Sequence, residues 1–190
     1  KRLPIQEDET ALTIWALNRF SEETGNHKIL EEKCESLVKP SAEFMHRYFK
    51  EDLHLPKPSY DLWEEKHYIS TFTVASVYAG LIAAAEIARK IRKNGEKHRK
   101  RAKEIKNKGL ENLKSEETKR YVRGIKDGEK LDKVSAPFYY LKKLDLIDEE
   151  DKYFQNTMNA IQYDLSPDTE IGGIARYKED YYHNVTEDFD

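Results

Sequence analysis

The chain has 190 residues, the size of one ordinary domain, and its 33 Lys and Arg nearly balance 36 Asp and Glu for a formal net charge of -3. That balance argues against a globally basic nucleic-acid binder and against an acidic tail protein. Charged residues reach 36% and hydrophobic ones only 38%, so aromatics, including 12 Tyr, must fill much of an economical core. The Lys and Glu excess is of the kind found in proteins of hot environments, which suggests a thermophile. The single cysteine, Cys34, excludes an internal disulfide framework and suits a reducing, cytoplasmic compartment. No apolar run is read as approaching the roughly 20 residues that span a bilayer, and no signal peptide opens the chain.

In chain order, Leu12, Trp15, Ala16 and Phe20 recur at helical spacing and predict a helix over Asp8–Thr24, closed by Gly25. A second helix is expected over His27–Glu51, kinked or split at Pro40. Leu53–Ser59, with Pro56 and Pro58, reads as an ordered loop. Thr71–Lys93 is the strongest helical segment, apolar on nearly every side and capped by Ser70 or Thr71. Isolated, such a helix would expose a sizeable patch, so self-association or dependence on further segments is expected. Asn94-Gly95 breaks it, and a polar helix follows over Glu96–Leu113. Tyr121–Ile125, then Lys126-Asp127-Gly128, reads as a short strand entering a turn. A further amphipathic helix starts at Asp148 or Glu150, and Ser166–Asp190 reads as ordered loop. The rhythm of helix after helix with almost no strand predicts an all-α solenoid or toroid.

Three segments contain candidate chemistry. Tyr60-Asp61-Leu62-Trp63-Glu64-Glu65 sets an indole beside carboxylates. The indole offers an apolar plate for a sugar face, one carboxyl can donate a proton, and another can accept hydroxyl hydrogen bonds. A like charge and an apolar wall would raise a carboxyl pKa toward general-acid service. The competing reading is a surface Glu pair beside a core Trp63. Gly172-Gly173-Ile174-Ala175-Arg176-Tyr177, followed by Glu179-Asp180, combines tight turns with a planar guanidinium fork, or is simply a loop tied by an Arg–Asp pair. Arg89–Lys108 holds eleven Lys and Arg, but lacks interleaved aromatics and reads as a solvated face rather than a nucleic-acid surface. The six histidines include no HxxxH pair, and neither metal nor phosphate-loop motifs occur.

Taken together, Leu3–Leu12, Tyr60–Glu65 with Ser70–Thr73, and Gly172–Tyr182 resemble, in order and spacing, segments of the glucoamylase family, glycoside hydrolase family 15. The resemblance implies that residues 1–190 are part of a single (α/α)6 catalytic domain. It implies a partial toroid with about half of the twelve helices and a strand or hairpin insertion around 119–136. It implies inverting hydrolysis of α-glucosidic bonds at non-reducing ends of α-glucan or maltooligosaccharides, releasing β-glucose. Glu64 would be the general acid; Glu65, Arg176, Asp61, Glu179 and Asp180 would bind or support substrate, and Trp63 would shape the pocket. No cofactor, metal, nucleic acid or membrane partner is implied. The family's catalytic base has no counterpart after Tyr182, so the chain reads as an internal piece expected to hydrolyse little alone. The reading is of a glucoamylase-like glucan 1,4-α-glucosidase, with related trehalase or glucodextranase types left open, and the alternative is a non-catalytic regulatory or interaction domain of the same ancestry.

Overall fold

The structure, a computed structural model, describes residues 4–168, 170, 172–178 and 180. Helix α1 (Glu7–Thr24) ends at Gly25, whose φ is 68°. The next helical stretch divides into α2 (Lys28–Lys33), a π-turn at Cys34–Val38 and α3 (Lys39–Arg47). The break predicted at Pro40 lies earlier, in the π-turn. Proline falls in the first turn of α3, where its missing N–H costs nothing.

Helix α4 (Thr71–Lys90) is the core. By length and composition it is apolar enough to cross a membrane, with mean hydropathy 1.5, which corrects the sequence reading that no segment approaches that length. Yet 78% of that stretch is buried within the protein, the disposition of a core helix. The exposed patch expected on it is therefore not present: α1, α5 (Glu96–Glu104) and the strands described below cover it. The approach of α1 to α4 is close because Gly80 lacks a side chain; a Cβ there would lie 2.8 Å from the Ala11 carbonyl oxygen. Thr71 does not cap its own helix. Its hydroxyl donates to the Val122 carbonyl at 2.6 Å, tying α4 to a later segment.

The expected near-absence of strand is corrected. Strands β1 (Phe49–Lys50) and β2 (Leu55–Pro56) pair, so the proline loop is partly a ribbon. Strands β3 (Ser59–Tyr60) and β4 (His67–Ser70) form a hairpin. After α5 come a π-turn at Ile105–Gly109, a 3-10 turn at Leu110–Leu113, and the pair β5 (Lys114–Ser115) and β6 (Arg120–Tyr121). Strands β7 (Gly124–Lys126) and β8 (Glu129–Leu131) turn through Asp127-Gly128, both at positive φ, as the sequence predicts for that dipeptide. The second sheet has the antiparallel order β3-β4-β7-β8. Ser70 pairs with Gly124, where a Cβ would meet the Ile69 carbonyl oxygen at 2.1 Å, so only glycine allows this pairing.

A short α6 (Tyr139–Lys143) follows, then α7 (Lys152–Asp164). Asp151 caps α7 by accepting from the Phe154 N–H at 2.9 Å, three residues after the earlier predicted start. Among the described residues, four of the eleven Lys and Arg in the basic stretch pair with acids on other elements: Lys90 with Glu22, Lys93 with Glu35, Lys97 with Glu43 and Arg101 with Glu51.

Candidate functional site

The segment 61–66 is the tip of the β3–β4 hairpin, and Asp61 shapes it. Asp61 is buried, and its Oδ1 accepts from the backbone N–H of Glu65 at 3.1 Å and of Lys66 at 3.2 Å. The Asp61 carbonyl accepts from the Glu64 N–H at 2.8 Å, closing a tight turn that leaves Glu64 at φ 57°. That left-handed conformation is unfavourable for a residue with a Cβ. The Glu64 side chain is exposed, and among the described residues its carboxylate has no hydrogen-bond partner. It stands at the rim of an open groove of about 640 Å³, walled by Gln6, Glu9 and Thr10 at the start of α1 and by Ser41 and Phe44 of α3. Pro4, Ile5, Pro40 and Phe44 give this groove an apolar portion beside the exposed Glu64 side chain.

Glu65 faces the other way, toward the second predicted loop. Gly172 and Gly173, at φ 69° and 113°, turn the chain ahead of Arg176. The loop then docks on the segment after β8, with the Ala136 N–H donating to the Arg176 carbonyl at 2.9 Å and Ser135 bridging Tyr177. Arg176 donates from Nη2 to Glu65 Oε1 at 3.4 Å and from Nε to Asp180 Oδ2 at 2.5 Å. Its second contact to Asp180, through Nη2, makes that pair bidentate. The guanidinium also lies 4.8 Å from the Trp63 ring, within cation–π range. Tyr177 donates its hydroxyl hydrogen to Glu65 Oε2. Burial first, then that hydrogen bond, pushes the Tyr177 phenol up, so it keeps the proton it donates.

The structure thus brings together Trp63, Glu65, Arg176 and Asp180, places Asp61 beneath them as the anchor of its own loop, and sets Glu64 on the opposite side of the turn. Glu179 lies outside the described residues. Three further residues belong to this network. Arg123 and Tyr68 contact Asp61 Oδ2, at 3.3 Å and 3.4 Å, and Tyr177 joins the two loops. Arg123 had one legible signal in the sequence, a charge within the apolar run Tyr121–Ile125. The paired acids Glu7 and Asp8 form a second feature without a motif in the sequence. Both are buried at the start of α1, and among the described residues neither carboxyl has a hydrogen-bond partner. Burial, with the Asp8 charge adding, pushes Glu7 up to about 9, and burial pushes Asp8 up to about 6.

The hairpin tip and the glycine-led loop of this helix-rich chain thus meet through an indole, two carboxylates and an arginine. Residues 4–188 match the family described as glycosyl hydrolases family 15, and the chain belongs to that family. An uncharacterized glycosyl hydrolase of Methanocaldococcus jannaschii is 29% identical over 191 residues, covering 94% of this chain and 28% of that protein. A bacterial glucoamylase, solved in complex with acarbose, has a similar fold with a TM-score of 0.75 at 24% identity, over 96% of this chain and 29% of its own. A GH78 family rhamnosidase of Bacillus sp. GL1 gives a TM-score of 0.68 at 16% identity, over 84% of this chain and 17% of its own. The chain therefore spans under a third of the length of each relative.

Proposed function

We propose that this chain is the acid-bearing arc of an (α/α)6 ring in an inverting glycosidase that acts on α-glucosidic bonds of maltooligosaccharides or α-glucan. The observation that supports this reading best is the Glu65–Arg176 contact, which joins loops 111 residues apart beside Trp63. Such a set suits a sugar ring: the indole meets the C–H face, while carboxylate and guanidinium take neighbouring hydroxyls at fixed spacing. The bidentate Asp180 contact fixes the orientation of the guanidinium plane.

Glu64 is the proposed general acid. Its exposed carboxyl, with no hydrogen-bond partner among the described residues, is open to a departing glycosidic oxygen, and the turn fixed by Asp61 holds its backbone. Inversion needs a second carboxyl about 6.5–9.5 Å away with a water between them; the reading assigns that base to no residue of this chain. The test is Glu64→Gln in the protein that carries this chain, assayed on maltotriose. Hydrolysis should fall by about 100-fold or more, with product appearing as the β-anomer in the parent. An unchanged rate would reject the role of Glu64, and a retained α-anomer would reject inversion.

A further inference from the structure

Arg123 is outside the residues assigned to sugar contact, yet it touches both loops that hold them. Its side chain is 7% exposed. Nη2 donates to Asp61 Oδ2 at 3.3 Å, Nε donates to the Tyr68 hydroxyl at 3.1 Å, and the guanidinium carbon lies 4.4 Å from the centre of the Tyr177 ring. Asp61 belongs to the hairpin tip and Tyr177 to the glycine-led loop, while Arg123 comes from a third segment, just before β7. Its own backbone is fixed independently of both loops. The Arg123 N–H donates to the Leu131 carbonyl at 2.8 Å, and its carbonyl accepts from the Thr71 N–H at 3.0 Å.

A guanidinium is a flat cation with donors around its edge, so one group can bind a carboxylate in its plane and an aromatic ring on its face. A lysine ammonium is a point charge and cannot hold both partners in a defined mutual orientation. The consequence converges on Glu65. Asp61, held by Arg123, accepts from the Glu65 N–H; Tyr177, stacked on Arg123, donates to the Glu65 carboxylate.

We infer that Arg123 is a positioning residue that sets the separation of the two loops, so that Glu65 and Arg176 address one sugar ring together. This rests on the reading of those loops as sugar-binding. A residue anchoring one loop alone would need only one of these contacts.

The test compares Arg123→Lys with the double variant Arg123→Met/Asp61→Asn, which removes both charges and strands neither, in the protein that carries this chain. Hydrogen exchange is read over peptides covering 61–66, 172–178 and α4, beside KM and kcat for maltotriose. In both variants exchange should accelerate about 10-fold or more in the two loops and stay near parental in α4. KM should rise by about 10- to 100-fold with a smaller change in kcat, the mark of a misplaced substrate grip. Loosening of only one loop, loosening spread equally through α4, or an unchanged KM with both loops intact would overturn the inference. If the parent neither binds nor hydrolyses maltotriose, the glycosidase reading fails, and coupled loosening of the two loops still decides whether Arg123 joins them.

Discussion

His46 Nε2 lies 3.0 Å from His98 Nδ1 across the contact between α3 and α5, so at least one of the two rings must be neutral to accept the shared hydrogen. Burial, then the His46 charge, then Lys97, hold His98 down at about 4; burial and Arg101 lower His46. Glu43 on α3 opposes this for both rings, and Glu104 on α5 for His46, without reversing it. The folded protein therefore binds fewer protons than the unfolded chain between about pH 4 and the usual histidine value near 6.5. Stability from this pair is fully present above about pH 6.5 and is lost as pH falls toward 4. His98→Gln should flatten that acid limb, measured as melting temperature against pH; parallel curves for parent and variant would contradict it.

Glu7 presents the opposite sign. Its folded value of about 9 lies far above the ordinary 4.5. Protonation is favoured in the fold, so stability is greatest below about pH 4.5 and is lost as pH rises toward 9. Glu7→Gln keeps the shape and removes the titration. It should stabilise the protein by on the order of 2 kcal/mol at pH 8 and change little at pH 4. Equal effects at both pH values in chemical denaturation would show that Glu7 is not held neutral.

Gly124→Ala should be costly out of proportion to one methyl group. The new Cβ would press on the Ile69 carbonyl oxygen, a backbone atom that cannot step aside without breaking the β4–β7 pairing. A loss of about 1–3 kcal/mol is expected, with faster exchange at Ile69, the loss falling on the hairpin that bears Glu64 and Glu65. A neutral result would mean that the two strands can separate freely.

Asp151 serves two partners, accepting from the Phe154 N–H and, at 3.1 Å, from the Tyr121 hydroxyl. Removing a cap of this kind costs about 1 kcal/mol, and the buried Tyr121 hydroxyl loses its acceptor as well. Asp151→Ala should therefore destabilise by about 2 kcal/mol, and Asp151→Asn by less, since the amide oxygen can still cap. Equal losses in the two variants, read by urea denaturation, would count against the cap.

The helices were legible in the sequence where periodicity ran long enough to be read. Asp8–Thr24 and Thr71–Lys93 are reproduced within a few residues because a broad apolar stripe repeats over several turns. Strands of two residues give no period to detect, so β1, β2, β3 and β5 were invisible, while the strand read over Tyr121–Ile125 overlaps the end of β6 and most of β7, and the turn read at Lys126-Asp127-Gly128 leads into β8. Within the site, Trp63, Glu65 and Arg176 were legible only because both loops stood out in composition. Arg123 showed only as a charge within Tyr121–Ile125, which hints at burial but not at a role; its partners sit 62 residues upstream at Asp61 and far downstream at Tyr177. Glu7 and Asp8 lie in the first turn of α1, where acids are ordinary, and nothing local foretold their burial in the fold.

The left-handed backbone at Glu64 sets two demands on one position against each other. A glycine would sit there without strain, and Glu64→Gly should raise the melting temperature while abolishing whatever the carboxyl contributes. Selection for heat resistance alone would thus erode this residue, so a thermally hardened descendant of this chain that still keeps glutamate at this corner has been held to it by chemistry.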